Sequence, residues 1–166
     1  MPLSHRLTEL EKTLELHYDT LSKAQKRLSY TDDIFAKEAI KKRIQEEVLP
    51  ELLALETQYW QLLAQAARNC DVPEVEANDA IIEVVQEVEL IQSQPDKYPD
   101  ELMQKLQAIL DKLNEPGQFA AGKAKLALPL IPGIVSYEVE LDTENALSRV
   151  FRPIKLLYKK AVDEGK

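Results

Sequence analysis

Few residues in this chain have the type and spacing that chemistry requires. His5 and His17 stand twelve positions apart, and Cys70 is the only cysteine. A zinc site needs nitrogen or sulfur ligands at short, regular spacings, and these residues form no such cluster. The 29 acidic residues follow no calcium-loop pattern. Four glycines, at positions 117, 122, 133 and 165, are too few and too dispersed to cradle a phosphate. A cysteine nucleophile needs a base to hold it as thiolate, and the sequence gives Cys70 no orienting neighbour. No G-x-S-x-G elbow is present. Carboxylate pairs are frequent, but they lie along charged helical stripes and read as solvated surface. The chain therefore reads as non-enzymatic, with no catalytic set, no cofactor and no metal.

What remains is contact chemistry. Ten residues without a charge run from Leu126 to Val135, and within them Leu128, Leu130, Ile131, Ile134 and Val135 are candidates for touching a partner or a lipid surface. A second set is basic. Between Ala146 and Lys160 there are five bases and no acid. Of these, Arg149, Arg152, Lys155 and Lys159 are candidate contacts to an acidic partner surface or to anionic headgroups.

The elements that position these residues follow from local pattern. Pro132-Gly133 is a strong turn pair, and counting outward from it aligns Ile131 with Ile134, Leu130 with Val135, Leu128 with Tyr137, Leu126 with Val139, and Ala124 with Leu141. The opposite face then pairs Lys125 with Glu140 and Lys123 with Asp142. One register satisfies both faces, so the spacing predicts a β-hairpin over 118–142. Pro129 places its strand at an edge.

The remaining sequence reads as helix. Leu7, Leu10, Leu14, His17, Leu21, Ala24 and Leu28 alternate three and four apart, the seam of an antiparallel helical hairpin. Ser29 to Asp33 breaks this helix, with Thr31 or Asp32 expected to cap the next. Val48, Leu52, Leu55, Tyr59, Leu62 and Ala66 form the second seam, which Pro50 is expected to kink. Asp71 and Glu74 have the spacing of a capping box ahead of a third helix. From Asp71 to Glu101 ten acids face one base, Lys97. A fourth helix runs from about Pro99 to Leu113. Asp142-Thr143 caps a last helix, which Pro153 interrupts.

The sequence thus predicts a mainly α fold, an antiparallel bundle of four to five helices with one C-terminal β-hairpin. It divides into a long helical hairpin (1–70), an acidic helix pair (71–115), the β-hairpin (118–142) and a basic final helix (143–166) within a single domain. With 166 residues, 45% of them apolar, the chain is large enough to bury a core unaided. A net charge of −8 argues against nucleic acid as a partner. One cysteine points to a reducing, cytoplasmic home. No signal-peptide core and no run approaching about 20 apolar residues is found.

One stretch resembles a known group. Lys26-Arg27-Leu28 before the break, Thr31-Asp32 at the turn, and Lys37, Ile40, Lys42 and Ile44-Gln45-Glu46-Glu47 after it are similar to the helical effector-associated regions of bacterial, largely cyanobacterial, conflict and cell-death systems. The resemblance covers Leu10 to Glu47. It implies a non-enzymatic adaptor or regulator.

Two functions are weighed. The first is a protein–protein interaction, adaptor or regulatory domain with a protein partner, open to self-association if the acidic third helix and the basic final helix do not dock on each other within one chain. The alternative is a membrane-active effector that inserts the 126–135 tip into lipid.

Overall fold

The first helix, α1 (Leu3–Tyr30), is held by leucines one heptad apart. Leu7, Leu14 and Leu21 are each no more than 3% exposed. They meet the apolar stripe of α3 (Leu49–Ala67), where Leu52, Tyr59, Trp60 and Leu63 are completely buried. Between the two lies α2 (Ile34–Arg43), which has no buried residue. In the computed structural model, which describes residues 2–138 and 146–164, no β-strand occurs among the described residues.

The α1–α2 break is capped by Asp33. Its carboxylate accepts the Ala36 N–H at 3.0 Å, while the Thr31 hydroxyl turns back to donate to the Arg27 carbonyl. The sequence placed the cap one or two residues earlier. Pro50 produces no sharp break. It lies in the first turn of α3, and the turn before it, Ile44–Val48, widens into a π-helix in which the Leu49 N–H bonds the Ile44 carbonyl. A proline ring clashes with the carbonyl of the preceding turn, and one wider turn relieves this without ending the helix.

α4 (Glu74–Gln92) and α5 (Asp100–Leu113) follow as an antiparallel pair. Asp71 and Glu74 form no capping box: Pro73 occupies the cap position and makes no side-chain cap. Glu74 instead reaches across the fold. Its two carboxylate oxygens accept the backbone N–H groups of Ala120 (2.7 Å) and Ala121 (3.2 Å) at the start of α6 (Ala120–Ala127). This satisfies orphan donors and sets a negative charge at a helix N-terminus.

The predicted hairpin is absent. Residues 120–135 coil through α6, a single 3₁₀ turn (Leu128–Leu130) and α7 (Ile131–Val135). The decisive pattern is Ala120, Ala124, Ala127, Leu128, Ile131, Ile134 and Val135, all buried and three or four apart. That is one face of a helix. Alternation in the same stretch matched a strand equally well, and the two prolines break the tie. Pro129 and Pro132 each fall in the first turn of a short helical segment, where a missing N–H costs nothing. Gly133 is helical, and Gly117 is the one described glycine with positive φ, at 80°. The strand partners Val139 to Asp142, and the Asp142-Thr143 cap, lie outside the described residues.

The chain closes with α8 (Ala146–Val150) and α9 (Arg152–Glu164), separated at Phe151, with Pro153 in the first turn of α9. α9 packs on α4 and α3. Lys160 lies 3.8 Å from Glu76 of α4. The acidic helix and the basic final helix therefore dock on each other within one chain.

Candidate functional site

Four of the five apolar contact candidates are in the core. Leu128, Ile131, Ile134 and Val135 are each no more than 1% exposed, and Leu130 is half-buried against the same cluster. Inserting this stretch in lipid would mean opening the bundle. Among the described residues no helix is long and apolar enough to cross a membrane.

The basic candidates divide in two. Lys155 and Lys159 face inward from α9 and bind α1 and α3. Lys155 Nζ is 3.7 Å from Glu56 Oε1 and 4.5 Å above the Tyr59 ring. Lys159 Nζ is 3.7 Å from Glu11, 2.9 Å from Asp163 and 3.2 Å from the Thr8 hydroxyl. Glu56 is the centre of this network and was missed by the sequence reading. It is wholly buried, and its Oε1 accepts the hydroxyls of Tyr18 and Ser148, the latter at 3.2 Å. Tyr59 in turn donates to Glu11 at 2.8 Å. Burial, and then the neighbouring carboxylates Glu56 and Glu11, hold the Tyr18 and Tyr59 hydroxyls protonated far above the ordinary phenol range, so both remain donors. Glu56 Oε2 and Trp60 Nε1 are buried without a hydrogen-bond partner among the described residues. An acid on an apolar stripe, four residues after Leu52 and three before Tyr59, was the available signal. Its partners lie 38, 92 and 99 positions away, beyond the reach of local pattern.

Arg149 and Arg152 remain outside this network, exposed and without an ion pair among the described residues. They form one rim of a cleft of about 690 Å³, opposite Glu83 and Glu87 of α4. Leu90 and Leu156 stand in it 58% and 57% exposed.

The second exposed surface is the far end of the α1–α2 hairpin. No residue from 22 to 43 is buried. At its tip Tyr30, Ile34 and Phe35 are 78%, 67% and 81% exposed. Seven bases and three acids lie between Lys23 and Arg43, on a chain whose net charge is −8. Three large apolar side chains within six residues at the end of one arm are thus left in water.

The groups considered for chemistry are occupied otherwise. His17 donates its Nδ1–H to the Thr13 carbonyl (2.9 Å) and lies 3.2 Å from Glu51. The backbone bond to Thr13, then the bond to Glu51, raise its pKa above the usual histidine value. His5 and Cys70 line one cleft of about 920 Å³, but they share no hydrogen bond, and the thiol donates to the Ala66 carbonyl at 3.5 Å. Among the described residues no group of three or more His, Cys, Asp or Glu is arranged to hold a metal ion.

No protein-family model, no curated protein and no solved structure matches this chain.

Proposed function

We propose that this chain is a non-enzymatic protein-interaction module, an adaptor or regulator, whose contact surface is the tip of the α1–α2 hairpin. One observation carries the reading: Tyr30, Ile34 and Phe35 are grouped at the end of an arm in which no residue is buried. Aromatic residues dominate the energy of protein interfaces, and a basic surround favours fast encounter with an acidic partner. The resemblance of Leu10–Glu47 to effector-associated regions supports the same reading and a place in a bacterial signalling or defence system. The single cysteine suits the reducing cytoplasm.

The test is affinity capture from a lysate of the source cell, with the wild type and a Tyr30→Ser/Ile34→Ser/Phe35→Ser variant as baits. Proteins retained by the wild type are lost from the variant, while its melting temperature stays within about 2 °C, because these side chains support no core. Identical retention by both baits would remove the tip from the function.

A further inference from the structure

The tip and the α4 cleft are complementary, and they belong to the same molecule. We propose that the cleft between α4 and the α8–α9 segment receives the α1–α2 tip of a second copy of this chain. The inference rests on the interaction reading above and names its partner.

The cleft offers apolar contact from Leu90 and Leu156 between rims of opposite charge, Glu83 and Glu87 on one side and Arg149 and Arg152 on the other. None of these four charged groups has an ion pair among the described residues. The tip offers the counterpart. Tyr30, Ile34 and Phe35 supply the apolar body, Asp32 at the turn supplies an acid for the arginines, and Lys37 on α2 supplies a base for the glutamates. Asp33 is already engaged as the α2 cap. Opposite charges on both rims orient an incoming helical hairpin and reject the reversed one.

Within one chain the tip does not fill the cleft: none of Tyr30, Ile34 and Phe35 lines it, and each is at least 67% exposed. Tyr18 of α1 lies beside Ser148 at the foot of α8, 3.3 Å from its hydroxyl. Tyr30 is twelve residues further along the same unbroken helix, about 18 Å away along its axis. The contact is therefore between molecules and joins different surfaces of the two. Each bound pair keeps one free tip and one free cleft, so the association continues head to tail unless its rotation closes a ring.

The experiment is sedimentation velocity on the full chain over about a hundredfold range of concentration. The wild type sediments faster as concentration rises. Phe35→Asp removes the tip and Leu90→Glu blocks the cleft, each at an exposed position, and each alone weakens association at least about tenfold while its melting temperature is kept. Mixed one to one, the two variants form a dimer and stop, because the first still has a cleft and the second still has a tip. A wild type that is monomeric throughout, a Phe35→Asp protein that still assembles, or a mixture that stays monomeric would overturn the proposal. A monomeric wild type whose tip still captures another protein leaves the interaction module standing and removes only the second copy. If neither association nor capture depends on the tip, both readings fall.

Discussion

The body and the arm of this molecule spend their residues in opposite ways. In the body, Glu56, a group that is costly to bury, is placed inside and surrounded by Tyr18, Ser148 and Lys155 drawn from three distant helices. In the arm, Tyr30, Ile34 and Phe35, groups that favour burial, are left in water. Each placement runs against simple transfer free energy. A buried polar cluster ties α1, α3, α8 and α9 together, whereas the exposed apolar residues sit on an arm with no buried residue from 22 to 43, and that is why the proposed contact surface is placed there.

The Glu56 cluster is the most sensitive point of the fold. Lys155→Met leaves the Glu56 carboxyl buried without its cation, and stability falls by about 3 kcal/mol in a denaturant titration. Adding Glu56→Leu to that variant recovers most of the loss, since an apolar pair of similar volume replaces the ionic one. A double variant no better than the single would mean that Glu56 holds the helices by more than charge balance. Next in size is the contrast between apolar residues of the two regions. Leu63→Ala costs about 2–5 kcal/mol, whereas Phe35→Ala changes stability by no more than about 0.5 kcal/mol. Comparable losses at the two sites would show that the arm tip is packed after all.

Glu74→Gln weakens the cap on α6 and lowers stability by about 1 kcal/mol, readable as a drop in the denaturation midpoint. Gly133→Ala goes the other way. The residue is helical, and an added Cβ would lie 3.5 Å from Lys105 Nζ, an ordinary contact. Stability rises by about 0.5 kcal/mol, where a turn needing positive φ would lose stability on the same change. The smallest effect is at His17. Its pKa is raised in the fold, so its contribution is complete below the unfolded histidine value of 6.5 and disappears as pH climbs through the higher folded value. Stability should decline gently just above that pH in the wild type and not in His17→Gln.

Most helices were legible because their leucines keep strict spacing. Leu7, Leu14 and Leu21 in α1 and Leu102, Leu106 and Ile109 in α5 are buried as their periodicity requires. The stretch from 120 to 135 was misread because small and branched apolar residues satisfied both periods at once. Proline in a first helical turn looks, in sequence, like proline in a β-turn. Of the candidate contacts, Arg149 and Arg152 are exposed on a cleft, while Lys155 is tied to Glu56 and Lys159 to Glu11, acids that only the fold brings near, and Lys159 also to Asp163 one turn on. The arm tip had a signal that went unused: Tyr30, Ile34 and Phe35 flank a polar break, and apolar residues at the end of a helical hairpin have no core to reach.

The most direct test of the central claim is site-specific photo-cross-linking in the source cell. A benzophenone side chain in place of Phe35 should yield discrete protein adducts, a copy of this chain among them, while the same group in place of Leu16, 70% exposed on α1, should not. Equal labelling at the two positions, or none at either, would contradict the assignment of the α1–α2 tip as the contact surface.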